Sequence, residues 1–295
     1  GGRDRVTRLL LCLSLPVIII IMIQAYLSEA NANWALAAMP ALAQNAVPAV
    51  VTPPGEGMVE KPCPADQRGL NFAHPYVRQY DWAWECRYAA ADKQLAQAPR
   101  VVFIGDSITE NWVGLAPSLF VAGAVGRGIS GQTSPQILVR FYQDVVRLRP
   151  KVVHIMIGTN DLAGNTGPNS AEMYTNHVAA MVDLAKANGI AVVIGSILPA
   201  AKFPWKPALA PARQVVALNA WLKDYAKARG AAYADYHAAL VNAEGGINPD
   251  LAPDGIHPNA KGYAVMEPIA KAAIAEAERL AMAKPDAKAA APRKR

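Results

Sequence analysis

From about residue 100 onward, short runs of consecutive apolar residues alternate with longer stretches in which apolar positions recur every three or four residues. The first pattern suits a strand buried on both faces, and the second is the stripe of a helix lying on a sheet. The clearest strands are residues 101–104, 152–157 and 190–197, with weaker ones at 121–125 and 231–234. Between them, Ser134-Pro135 opens a helix whose Ile137, Leu138, Phe141, Val145 and Leu148 share one face. Ser170 caps the next helix and Gly189 stops it, while Pro211 opens a third that ends at Gly230. Asn259 caps a terminal helical region that Pro268 either kinks or restarts. Five strands with intervening helices predict one three-layer α/β domain over residues 100–283. Its simplest form is flavodoxin-like, a central five-stranded parallel sheet in the order 2-1-3-4-5. Ligands of such sheets bind beyond the carboxyl ends of the strands, near the point where strand order reverses.

The ends of the chain read differently. Residues 9–23 are apolar except for Ser14 and Pro16, follow three arginines, and run into a small-residue exit at Ala30-Asn31-Ala32, with a second at Ala41-Leu42-Ala43. That is the pattern of an export signal, and a membrane anchor is its alternative; both place the body of the protein outside the cytoplasm, periplasmic or secreted. Residues 1–43 are therefore read as leader or anchor, the Pro- and Gly-rich 44–62 as a linker, 63–99 as an N-terminal extension, and 284–295 as a basic tail. Cys63 and Cys86 form an even pair in an oxidising compartment, which predicts a disulfide.

Charge supports this division. The formal net charge of +6 comes from residues 1–8, at +2, and residues 284–295, at +4, so the body between them is neutral. A neutral body argues against a groove that tracks a nucleic-acid backbone. Neither Cys63 nor Cys86 has metal-ligand spacing to a histidine or another cysteine, and no zinc site is expected.

The chemistry-bearing residues cluster at the predicted strand ends. Gly105-Asp106-Ser107-Ile108-Thr109 follows the first strand, Gly128-Ile129-Ser130-Gly131-Gln132-Thr133 the second, and Gly158-Thr159-Asn160-Asp161 the third. With strands 2, 1 and 3 as neighbours, all three segments converge. A serine at a strand-to-helix turn exposes its hydroxyl and sets its backbone N–H at a helix N-terminus, where developing negative charge is stabilised. A base is supplied by Asp254-Gly255-Ile256-His257-Pro258, a carboxylate three residues before a histidine. The chain order Ser, Asp, His is one of the orders a triad takes.

These four segments, in this order over roughly residues 100–282, resemble the signature blocks of the SGNH, or GDSL, hydrolases. The resemblance implies a serine esterase with Ser107 as nucleophile, His257 as general base and Asp254 orienting the imidazole. It implies an oxyanion hole formed by the backbone N–H groups of Ser107 and Gly131 and the side-chain amide of Asn160, with no metal or organic cofactor. The short segment from Ser107 to Trp112 is similar to members acting on small acyl groups, such as acetyl esters of carbohydrate. A lysophospholipase or thioesterase, and a silent glycan-binding protein on the same fold, are the alternatives.

Asp235 and His237 form a second Asp/His pair, read as a strand-end carboxylate and a surface histidine. His154 is read as a core residue, Asp106 as a brace of the serine turn, and Asp161 as support for the Asn160 loop. Trp112, Phe203 and Trp205 are candidates for walling the acyl or sugar pocket, with core packing as the competing account. The expected substrate is a small-molecule or glycan acyl ester, without nucleic acid. Membrane contact is expected only through the N-terminal segment.

Overall fold

The computed structural model describes residues 63–64, 70–121 and 123–283. The expected leader, linker and basic tail lie outside the described residues. Two short helices, α1 (Pro75–Tyr80) and α2 (Cys86–Lys93), precede the sheet. Then follow β1 (Val101–Gly105), α3 (Ser107–Leu115), β2 (Ala124–Gly128), α4 (Ser134–Asp144), β3 (Val152–Met156) and α5 (Thr159–Ala163). The chain continues through α6 (Ala171–Ala187), β4 (Ala191–Gly195), α7 (Ala212–Arg229), β5 (Ala232–Ala234), α8 (Tyr236–Leu240) and α9 (Ala260–Met282). The five strands form a parallel sheet in the order β2-β1-β3-β4-β5, as the hydrophobic pattern predicts.

β1 and β3 are buried at every position, so each face must be covered. On one face Val102, Ile104, Val153 and Ile155 pack with Ile137 and Phe141 of α4, Met181 and Val182 of α6 and Leu222 of α7. On the other, Val101, Phe103, Val152 and Val193 pack with Trp112 of α3 and Tyr263, Met266 and Ala270 of α9. Each of the Val, Leu, Ile, Phe and Met side chains among them contributes on the order of 1.5–3 kcal/mol by leaving water.

Three local expectations are corrected. The second strand lies at Ala124–Gly128 rather than 121–125, because Gly126 and Gly128 take positions where a neighbouring helix presses on the sheet. A Cβ on Gly126 would lie 2.3 Å from Val113 Cγ2. The cap of α4 is Thr133, which forms a reciprocal box with Gln136, so Ser134 is the first helical residue. Pro268 does not restart a helix, since α9 runs through it from Ala260 to Met282.

His154 of β3 is a core residue, fully buried, its Nε2 2.7 Å from the Tyr236 hydroxyl and its ring 4.7 Å from that of Phe103. Burial pushes its pKa down to about 3. The unfolded chain takes up that proton near pH ~6.5, so between these values the unfolded state binds more protons and stability falls as pH falls. Urea midpoints of the wild type should therefore drop relative to those of His154→Gln, which keeps a partner for Tyr236, between about pH 7 and about pH 4. Parallel midpoint curves would show that this histidine does not carry the effect.

Candidate active site

The turn after β1 is shaped by contact between α3 and the sheet. A Cβ on Gly105 would lie 2.2 Å from Thr109 Oγ1 and 2.5 Å from the Met156 carbonyl; one on Gly128 would lie 2.2 Å from the Glu110 backbone nitrogen. Only glycines let the first turn of α3 sit this close to β1 and β2. Asp106 caps that turn by accepting from the Ile108 N–H at 3.0 Å, which leaves Ser107 as the first helical residue, at the carboxyl edge of the sheet. Tyr263 of α9, which packs on the same face of the sheet as α3, donates to the Ile108 carbonyl at 2.7 Å.

Ser107 Oγ lies 2.9 Å from His257 Nε2, and His257 Nδ1 lies 2.6 Å from Asp254 Oδ2. Asp254 Oδ1 accepts from the backbone N–H groups of Ile256 at 2.9 Å and His257 at 2.8 Å, so one carboxylate shapes the loop and holds the ring. Partial burial pushes the Asp254 carboxyl up, but the imidazole and these two N–H groups outweigh it and hold the carboxyl below its ordinary value. An ionised carboxylate only accepts, so the imidazole proton belongs on Nδ1, and Nε2 is left to accept from the serine hydroxyl.

The glycine-rich loop after β2 closes the second side. Ile129 donates to the Gly105 carbonyl at 3.1 Å, and Glu110 of α3 accepts from the Ser130 N–H at 2.8 Å and its hydroxyl at 2.5 Å. Gly131 has φ +78°. A Cβ there would lie 2.8 Å from the ring of Phe72, which comes from the N-terminal extension and is half-exposed.

Asn160, in the first turn of α5, is buried; its Nδ2 donates to the Gln132 carbonyl at 3.1 Å and approaches Asp106 Oδ2 at 3.3 Å. Burial raises the pKa of Asp106 to about 7, against the pull of the Ile108 N–H and His257. Asp161 turns away from Asn160: it accepts from the Ser134 N–H and hydroxyl and from Asn169, and so ties α5 to the start of α4. Burial raises its pKa too.

One candidate pocket wall is a core residue instead. Trp112 is fully buried and packs between Phe103, Tyr236 and Tyr263, because its position on α3 faces α9 rather than the strand ends. Phe203 is buried against Ala163, Ala200 and Ile256 and also lines a cavity next to Asp254. Trp205 stays partly exposed, and its Nε1 donates to Asn165 Oδ1 at 3.0 Å. The other Asp/His pair is not assembled into a site: Asp235 caps α8 through the Ala238 N–H.

The extension, which carries no motif, braces the glycine-rich loop after β2 and helix α4. Cys63 and Cys86 are joined. Carbonyls of Trp82, Ala83 and Glu85 accept from the side-chain amides of Gln136, Gln132 and Gln143, and the Tyr88 hydroxyl donates to the Gly128 carbonyl. Beside the triad, a cavity of about 290 Å³ is bordered by Asp254, Lys202, Asn242, Pro204 and Ile247. Among the described residues no group of three or more His, Cys, Asp or Glu side chains is placed to hold a metal ion.

Residues 103–265 match the model of the GDSL-like lipase/acylhydrolase family. The chain belongs to this family. A Bacteroides fragilis protein described as an acylhydrolase is 43% identical over 68% of this chain and 99% of its own, with a TM-score of 0.65. A GDSL-like lipase of Bacteroides thetaiotaomicron is 44% identical over 66% of this chain and 98% of its own, with a TM-score of 0.63. Among curated proteins none matches the chain significantly. Membership makes acyl-ester hydrolysis the general activity of this GDSL-like hydrolase, and it accords with a serine, an imidazole and a carboxylate in hydrogen-bonded file at the strand ends.

Proposed function

We propose that the protein is an exported serine esterase that removes a short acyl group, acetyl above all, from a carbohydrate ester. The observation that carries this reading is the continuous file Ser107 Oγ, His257 Nε2, His257 Nδ1, Asp254 Oδ2, with separations of 2.9 and 2.6 Å. His257 takes the hydroxyl proton as Oγ attacks the ester carbonyl carbon. The negative charge that builds on the carbonyl oxygen is met by the N–H groups of Ser107 and Gly131 and by Asn160 Nδ2, whose long 3.3 Å contact to Asp106 is the one it gives up most easily. His257 then hands the proton to the departing alcohol, and water activated at the same nitrogen releases the acid from Ser107.

Two features support a small acyl group on a polar alcohol. The Phe72 ring lies against Gly131 and narrows the space beside that proposed donor, and the cavity next to Asp254 offers Lys202 and Asn242 to an alcohol that bears hydroxyls. The apolar segment at residues 9–23 and the cystine support export, with any membrane contact limited to that segment.

The test is turnover of chromogenic esters of increasing acyl length and release of acetate from acetylated polysaccharides, with a fluorophosphonate probe counting reactive serines. Turnover is expected to peak at acetate, with one labelled serine that disappears in Ser107→Ala. Preference for long acyl chains would favour a lysophospholipase or thioesterase. Absence of both labelling and turnover would favour a silent glycan-binding protein.

A further inference from the structure

The side chain of Asn160 serves an oxyanion only if its nitrogen, not its oxygen, faces Ser107. A carboxamide is nearly symmetric in shape, so packing alone does not choose between the two orientations. The choice is made by its partners on both sides: the Gln132 carbonyl only accepts and so takes the nitrogen, and on the other side the partners form a chain that ends in a group that only donates. An indole N–H only donates. Trp205 Nε1 donates to Asn165 at 3.0 Å, so the Asn165 oxygen must face the indole and its nitrogen must face away. That nitrogen donates to Asn160 Oδ1 at 2.7 Å, so Asn160 in turn presents its oxygen to Asn165 and its nitrogen to the Gln132 carbonyl at 3.1 Å and to the serine turn.

We propose that Trp205, acting through Asn165, is a positioning group that holds the Asn160 amide in the polarity the Gln132 carbonyl also requires and so keeps it an oxyanion donor. This rests on the esterase reading above. The loop is built to hold the indole there. Phe203 is anchored in the core beside Ile256, Phe203 and Lys206 bridge to each other, and Lys206 Nζ donates to the Gly164 carbonyl at 2.9 Å. The backbone N–H of Asn165 donates to the Asn160 carbonyl at 3.1 Å, which keeps the two amides in reach. Trp205 is thereby a residue whose effect on rate needs no contact with substrate.

Asn165→Asp is nearly isosteric but has no N–H to offer Asn160 Oδ1, and its carboxylate attracts the Asn160 nitrogen instead. With a chromogenic acetate ester, kcat is expected to fall toward the loss of about 100-fold typical of a missing oxyanion donor, with KM within about 2-fold. Trp205→Phe keeps the ring and removes only the donor, and should lower kcat by a smaller factor with KM again unchanged. In an Asn160→Ala background neither substitution should lower kcat further. Unchanged kcat in both single variants, or losses that persist in full in the Asn160→Ala background, would overturn the assignment. Should Asn165→Asp fail to fold, as judged by its thermal midpoint, Trp205→Phe carries the same comparison. A wild type that does not turn over the ester removes the esterase reading and this inference with it, whereas an Asn160→Ala variant as active as wild type leaves the esterase reading standing and removes this inference alone.

Discussion

Ser107→Ala is expected to lower kcat on a small acetate ester by on the order of 10^6-fold, and His257→Ala by about the same factor. The double variant should be no slower than either single one. Oγ and Nε2 are 2.9 Å apart and act as one unit: without the imidazole the hydroxyl keeps its proton and attacks poorly, and without the hydroxyl the imidazole has nothing to activate. Asp254→Asn should cost less, roughly 10^4-fold, because the nucleophile and base remain. The damage there has a definite form. An asparagine amide directed at Nδ1 at 2.6 Å donates where the carboxylate accepted, and it favours the tautomer with the proton on Nε2, which then competes with the serine proton. The residual activity in every case belongs to the oxyanion donors and to binding, which these substitutions leave in place. Ser107 contributes little to the fold, so thermal unfolding of Ser107→Ala should match wild type; equal turnover by the two proteins would remove Ser107 as nucleophile.

The parts of this molecule that could be read from the chain are those in which one residue has one structural consequence. Apolar runs at 101–104 and 152–157 became β1 and β3, since a strand covered on both faces needs apolar residues at successive positions. Four short segments placed a serine, an amide, a carboxylate and an imidazole at strand ends that the topology brings together. What could not be read depends on which way a side chain faces once helices have packed. Trp112 lies five residues from Ser107 yet points into the core, because the α3 stripe that meets α9 passes through it. Strand β2 carries two glycines for contacts with α3 and its N-terminal turn, contacts that no hydropathy pattern reports. The role of the extension depends on three glutamines of the Gln132 loop and α4, whose partners are backbone carbonyls some fifty residues earlier in the chain. Such pairings leave no trace in periodicity. The one legible hint was the cysteine pair, which promised order in the segment without saying what it would order.

The largest loss of stability is expected at a residue with no motif to announce it. Arg140 of α4 is fully buried beneath the site, and its guanidinium reaches four acceptors. Nε donates to Gln132 Oε1 at 2.6 Å, Nη1 to the Arg127 carbonyl at 2.8 Å and Asp144 at 2.9 Å, and Nη2 to the Gly105 carbonyl at 2.9 Å. It therefore holds together the carboxyl ends of β1 and β2 and the loop that carries Gly131. Arg140→Met fills a similar volume but leaves a buried carboxylate without its cation, takes the donor from Gln132 Oε1 and removes one hydrogen bond each from the Arg127 and Gly105 carbonyls, and should cost about 3–5 kcal/mol. For a domain of this size that is a fall in the unfolding midpoint of roughly 6–20 °C. Arg140→Lys should recover only part of it, since a single ammonium does not span four acceptors spread around a planar fork. Arg140→Met combined with Asp144→Leu should be more stable than Arg140→Met alone, because the unpaired charge has gone; the lost hydrogen bonds to Gln132 and the two carbonyls keep it below wild type. Urea unfolding of the three variants reads these differences directly, and a loss below about 1 kcal/mol in Arg140→Met would mean that water replaces the guanidinium. Activity supplies a second measure. Since Arg140 grips Gly105 and Gln132, whose carbonyls and neighbours position Ser107 and Asn160, kcat of the folded variant should fall along with its stability, and a destabilised protein with unchanged kcat would place the site's rigidity elsewhere.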